Sequence, residues 1–139
     1  MRNRLFAALI LLGIGEPALA GQIAVKDAWF RALPASIPSA GYFTLRNSGQ
    51  KPVTVTDVES PACDMLMMHK SVNGGMDHLM SLPLAPGEVV RFAPNGYHLM
   101  CMGAKPMLRP HASVPVTFAL DDGTRTRVKF QVRDARGRE

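Results

Sequence analysis

The chain has 139 residues, of which 47% are hydrophobic and 19% are charged, and its formal net charge is +5 at pH 7. A chain of this length predicts one domain with a substantial core, because two domains would need more residues. The excess positive charge lies late in the chain, where a single aromatic residue, Phe130, lies among the basic ones and no aromatic series is present to stack on bases. We therefore interpret this segment as a solvated strand face and exclude a nucleic-acid partner. The basic residues are Arg125, Arg127, Lys129, Arg133, Arg136 and Arg138.

Residues 1–20 have the features of a secretory signal peptide. Arg2 and Arg4 provide a positive start, residues 5–14 form an apolar run, and Ala18-Leu19-Ala20 is a small-residue cleavage site. The apolar run is too short for a permanent membrane span, and no later run approaches the required length. We expect cleavage after Ala20 and export of residues 21–139 without a membrane span.

The exported part of the sequence is predicted to be β-structure throughout. Residues 41–47 and 53–58 alternate apolar and polar side chains as half-buried strands do, and Asn73-Gly74-Gly75 is a turn signal. Helical periodicity is almost absent. The predicted strands are residues 22–32, 41–47, 53–58, 65–69, 76–80, 87–92, 97–102, 114–120 and 124–132. Short strands at this spacing predict a single all-β domain, a sandwich or barrel, with a loose basic tail at residues 133–139.

Residues 65–107 hold eight of the nine methionines and three of the four histidines. A neutral imidazole and a thioether are uncharged ligands, and the soft sulfur suits Cu(I) better than magnesium, calcium or manganese. His98 and Met100 are two apart on a predicted strand, so they project from the same face and offer two copper-type donors side by side. Packing alone is the alternative for single methionines, because methionine fills irregular gaps in cores. It applies to Met65, Met67, Met68, Met102 and Met107.

The sequence resembles the periplasmic copper chaperones of the PCu(A)C family over nearly the whole exported chain. The resemblance is carried by the segments at residues 27–32, 41–47 and 96–103, the last of which reads Gly-Tyr-His-Leu-Met-Cys-Met-Gly. It implies a cupredoxin-like β-sandwich. The family motif is a His, a Met after ten intervening residues and then a His-x-Met, and it maps onto His69, Met80, His98 and Met100. The resemblance thus implies a monomeric metallochaperone that binds Cu(I) at these residues. Its implied partner is a cytochrome c oxidase subunit or an assembly factor of the oxidase copper centre.

The match departs from the family pattern around the second ligand. Only seventeen residues separate Met80 from His98, which is about four fewer than the usual gap. His78-Leu79-Met80 is a second His-x-Met, so His78 could replace or supplement a ligand, and Met76 is a further candidate. His78 as an exposed hairpin residue is the simpler alternative. The tail lacks the additional Met and His residues that some relatives carry.

Cys63 and Cys101 allow two interpretations. Two cysteines in an exported protein usually pair, whereas thiolates are also soft copper ligands. Cys101 follows Met100 and should face away from the metal, and Cys63 lies six residues before His69. We therefore favour a disulfide over copper ligation, although sequence alone does not establish that the two residues approach each other closely.

Other functions remain as alternatives to the chaperone. An electron-transfer cupredoxin needs a His₂Cys set with a weak axial Met, and here no Cys lies between the two histidines on the right face. General periplasmic copper storage or tolerance would use the same ligands, and a metal-free adhesion domain would use none. We do not expect an enzyme, because no Ser/His/Asp or paired-carboxylate arrangement is present.

Overall fold

The computed structural model describes residues 22–139, and the predicted signal peptide lies outside this range. These residues form ten strands, which confirms the all-β prediction. The strands are β1 (Ile23–Arg31), β2 (Ser39–Asn47), β3 (Val53–Glu59), β4 (Cys63–Val72), β5 (Gly75–Leu79), β6 (Leu82–Leu84), β7 (Val89–Phe92), β8 (Tyr97–Ala104), β9 (Ser113–Leu120) and β10 (Arg125–Arg133). Among the described residues no helix is long and apolar enough to cross a membrane.

All ten strands belong to one sheet, in the order β5-β4-β8-β7-β2-β1-β10-β9-β3-β6, and β8 also pairs with β2. The neighbours are antiparallel except for β1 with β10 and β7 with β8. The sheet rolls around its core until β3 lies across a groove from β4 and β5. The architecture is a nearly closed barrel, as the sandwich or barrel prediction anticipated.

Phenylalanine side chains fill the centre of the barrel. Phe43 lies 4.2 Å from Phe92, 5.4 Å from Phe118 and 5.5 Å from Phe130 between ring centroids. Gly41 is required beside this cluster, because a Cβ atom there would lie 2.6 Å from Cε1 of Phe30. The cluster packs β2, β7, β9 and β10 together, and β2 and β7 pair in turn with β8.

Cys63 and Cys101 are joined by a disulfide, with their Cα atoms 5.4 Å apart. The alternation of β4 breaks after Cys63, because Asp64 and Met65 are both exposed. Cys63 therefore points into the core together with Leu66, and the favoured disulfide prediction agrees with the structure. The bond links β4 to β8 on the side of the sheet opposite His69 and His98.

The end of the chain is more ordered than the predicted loose tail. The side chain of Asp134 accepts hydrogen bonds from the backbone N–H groups of Arg136 (2.8 Å) and Arg138 (2.9 Å). Arg31 donates a hydrogen bond to the carbonyl oxygen of Ala135 at 2.7 Å. The carboxylate of Asp134 thus closes a local turn, which the basic composition of the segment did not predict.

Candidate metal centre

Three histidines form a row across β5, β4 and β8. His69 is directly opposite His78 on β5 and directly opposite His98 on β8. Directly opposite residues share a face of the sheet, so all three rings project to the same side. The ring centroid of His69 lies 5.3 Å from that of His78 and 5.6 Å from that of His98. The register thus brings together residues that are far apart in sequence.

A row of methionines lies beside the histidines on the same face. Met67 is directly opposite Met100. Leu79, the last residue of β5, is directly opposite Met68, so extending this register by one residue would set Met80 beside Met67. We call this surface the His/Met face. Its members are His69, His78, His98, Met65, Met67, Met76, Met80, Met100 and Met102. Met68, by contrast, is buried in the core with Leu99, as the packing alternative predicted.

His98 is oriented by the backbone of its own strand. Its Nδ1 lies 3.1 Å from the carbonyl oxygen of Gly96. A carbonyl oxygen only accepts hydrogen bonds, so in the neutral imidazole Nδ1 carries the proton and Nε2 keeps its lone pair. An imidazole held in one tautomer by such a bond is the usual form of a metal-ligating histidine. His98 is only 8% exposed, which fixes the ring further.

His69 has an unsatisfied nitrogen. The residue is 9% exposed, and its Nδ1 is buried without a hydrogen-bond partner. A buried polar atom without a partner is costly, and a bound metal ion would remove that cost. Burial, and then the nearby charges of His98 and His78, lower the pKa of His69 below its usual value. Both effects favour the neutral imidazole, which is the form that binds a metal ion.

The two ends of the predicted ligand motif line different cavities. His98 and Met100 line a cavity of about 230 Å³ together with Met76 and Tyr42. Met80 does not line this cavity and is 77% exposed. It lines a separate groove of about 240 Å³, between β3 and the β4–β5 hairpin, and shares this groove with other residues of the His/Met face. These residues are Met65, Met67 and His78.

Three of the four predicted ligands, His69, His98 and Met100, thus lie together around the β4–β8 pair. Met80 directly follows β5, and its side chain lines the groove beside β3 instead. Met76 occupies the place on the shared cavity that sequence reasoning gave to Met80. Twenty-one residues separate Met76 from His98, four more than separate Met80 from His98. Met76 thus matches the family's usual gap before the His-x-Met, whereas only six residues, not ten, separate it from His69.

The remaining donors are less well placed. His111 is exposed in a turn with φ of 68°, which agrees with its prediction as a surface residue. Both cysteines are in the disulfide, so residues 22–139 offer no thiolate. Within this part of the chain, no group of three or more His, Cys, Asp or Glu side chains could hold a metal ion. Any ion on this face would be bound by imidazole and thioether groups together.

The family described as "Putative lipoprotein LpqE-like" matches residues 23–132. A "Putative lipoprotein" of Leifsonia xyli subsp. xyli (strain CTCB07) is 28% identical over 120 residues, which cover 83% of this chain and 72% of that protein. The chain is thus similar in sequence to lipoproteins over almost all of its described residues.

The fold is similar to solved PCuAC domains. The apo PCuAC domain of PmoF2 superposes with a TM-score of 0.71 at 19% identity, covering 83% of this chain and 92% of that domain. The copper-bound PCuAC domain of PmoF2 gives 0.68 at 21% identity, with coverages of 82% and 94%. The solution structure of CuI-DR1885 from Deinococcus radiodurans gives 0.63 at 26% identity, with coverages of 78% and 76%.

These likenesses confirm the cupredoxin-like fold and the resemblance seen in the sequence. Because the family match extends over nearly all described residues, this protein belongs to the LpqE-like family, which is of the PCuAC type.

Proposed function

We propose that this protein is a periplasmic metallochaperone that carries Cu(I) as cargo and passes it to a partner protein. The observation that carries the proposal is the pair of buried imidazoles of His69 and His98, whose rings lie 5.6 Å apart. Nε2 of His98 is free by tautomer, and Nδ1 of His69 lacks any partner. The copper-bound PmoF2 domain and CuI-DR1885 share this fold and support a copper cargo.

The proposed ligands are His69, His98 and Met100, completed by one thioether of the β4–β5 hairpin. All are neutral, so the site carries only the charge of the ion and favours a soft monovalent metal. The family motif assigns the fourth position to Met80. The cavity shared with His98 and Met100 favours Met76 instead. Separate replacement of each methionine by Leu decides between the two.

Release to a partner is compatible with the position of the site. Met76 is 57% exposed, so one donor of the proposed site is accessible from solvent, whereas the two imidazoles are buried. A partner with soft donors could displace such a thioether first and then take the ion by stepwise ligand exchange. The family resemblance suggests a cytochrome c oxidase subunit or an assembly factor as this partner. The lipoprotein relatives support export of the chain, and we propose the periplasm as its location.

The geometry favours the chaperone over an electron-transfer cupredoxin. A blue copper site requires a cysteine thiolate, and the disulfide removes both thiols and points away from the His/Met face. Copper storage or tolerance would use the same ligands without a recipient. Transfer of Cu(I) to a purified oxidase copper-binding domain, followed by chelator competition, distinguishes a chaperone from a store.

The test of the function is Cu(I) titration of the mature protein followed by X-ray absorption. We expect a nearly colourless complex with nitrogen and sulfur ligands, because Cu(I) has a filled d shell. His98→Ala should abolish tight binding and leave the fold intact. The matched control is His111→Asn, because asparagine tolerates the positive φ of this exposed turn better than alanine. An intense blue band on addition of Cu(II), or wild-type Cu(I) affinity in His98→Ala, would overturn the proposal.

A further inference from the structure

We propose that the His/Met face holds a second Cu(I) site, formed by His78, Met80 and Met67 at the groove between β3 and the β4–β5 hairpin. This inference rests on the proposed function, because it concerns the same cargo. It concerns residues outside the set of His69, His98, Met100 and Met76 that the cavity favours for the first site. The second site would be the point at which the ion enters from, or leaves to, a partner.

The register of the β4–β5 hairpin brings these three side chains together. His78 is directly opposite His69, and Met80 directly follows β5, whose last residue, Leu79, is opposite Met68. Met67 is a diagonal neighbour of His78 across the two strands, and diagonal neighbours lie about 7–8 Å apart, within reach of long side chains. His78, Met67 and Met80 also line one groove of about 240 Å³. The site therefore has donors and space.

The chemistry of the donors matches that of the first site. One imidazole and two thioethers are neutral, soft donors that suit Cu(I). Met65 lines the same groove and could supply a further sulfur. Asp57 of β3 lies on the opposite wall of the groove, where its carboxylate adds an attraction for a cation. A methionine core does not explain this cluster, because Met80 is 77% exposed and His78 is exposed as well.

His69 connects the two sites. Its ring lies between those of His78 and His98, at 5.3 Å and 5.6 Å respectively. Exposure increases outward along the row, from buried His98 and His69 to exposed His78. An ion can move along this row by ligand exchange, in which one copper–donor bond forms as another breaks. Copper stays Cu(I), and no proton or electron is transferred because every donor is neutral.

The experiment is an anaerobic titration of the mature protein in competition with a chromophoric Cu(I) chelator. Cu(I) is added as its acetonitrile complex, so that no thiol reductant opens the disulfide. We expect two equivalents to bind, the first more tightly than the second. The double variant His78→Ala/Met80→Leu should weaken the second equivalent by at least about tenfold, or about 1.4 kcal/mol. It should leave the first equivalent unchanged.

Two further measurements separate the second site from the first. His98→Ala/Met100→Leu should lose the tight equivalent and retain the weak one. Ring-nitrogen NMR shifts of the wild-type protein should change at His69 and His98 with the first equivalent and at His78 with the second. The matched control is His111→Asn/Met107→Leu, which removes one imidazole and one exposed thioether away from the His/Met face. It should bind as the wild type does.

The outcomes distinguish this inference from the proposed function. A single equivalent in the wild-type protein, unaffected by His78→Ala/Met80→Leu, refutes the second site and leaves the chaperone proposal intact. Loss of that single equivalent in the same variant also refutes it and returns Met80 to the first site. A second equivalent that persists in the variant lies elsewhere and refutes the assignment. No Cu(I) binding by the folded wild-type protein would overturn both proposals.

Discussion

Removal of the disulfide should destabilise the domain and leave Cu(I) binding at the proposed site intact. Cys63 and Cys101 are 38 residues apart in sequence and lie on the side of β4 and β8 opposite His69 and His98. The variant Cys63→Ala/Cys101→Ala is preferable to the serine pair, because both positions are buried and a serine hydroxyl would need a new partner.

The expected loss follows from the size of the closed loop. The loop-closure relation for 38 residues amounts to about 4 kcal/mol of the free energy of unfolding at 25 °C. For the 118 residues described by the structure, the usual unfolding entropy converts this loss into a fall in Tm of about 15 °C. The loss is large relative to the usual stability of a small domain, about 5–15 kcal/mol.

The assay is guanidinium unfolding of the metal-free protein, because bound Cu(I) would stabilise the native state and mask part of the loss. Cu(I) affinity is then measured at a temperature at which the variant is folded. We expect an affinity close to that of the wild type, since the pairing of β4 with β8 persists without the bond. Normal stability together with lost copper binding would refute this reasoning and identify the thiols as ligands.

Further variants test the ligands and the core. Met76→Leu should weaken binding of the tight Cu(I) equivalent by more than about tenfold, because losing even an outer partner of a metal ligand can cost that much. Met80→Leu should leave this affinity unchanged. The reverse result in chelator competition would favour Met80 as the ligand, as the family motif assigns it. Gly41→Ala should lower the free energy of unfolding by about 1–3 kcal/mol, because the new Cβ would lie 2.6 Å from Phe30; wild-type stability in guanidinium would show that the Phe30 ring moves aside without cost. Asn47→Ala should cost about 1–3 kcal/mol, since the buried amide donates to two carbonyl oxygens and accepts from one N–H group. Copper binding should be unchanged in both core variants, and a weakened affinity in a folded core variant would argue against a site supported only by β4, β5 and β8.

The sequence alone determined the architecture because its signals are local. Alternation of apolar and polar residues and the turn residues between them are sufficient to predict strands, and nine predicted segments fall within nine of the ten strands or overlap them. The placement of His98 and Met100 on the same face of one strand follows from the two-residue period of a strand and needs no tertiary information. The choice of a soft metal follows equally from the donor types.

The arrangement of the candidate ligands and of the disulfide was decided by the pairing register of the strands and by a local break in the side-chain alternation of β4. The row of His78, His69 and His98 exists only because three strands pair in one register, and a shift of one residue would turn a histidine to the core. The position of Met80 depends on how the hairpin folds, and the fold directs it to the groove beside β3 rather than to the cavity of His98. Cys63 reaches Cys101 because the alternation of β4 fails at one point. These outcomes are decided by contacts between distant segments, whose geometry no local pattern of residues specifies.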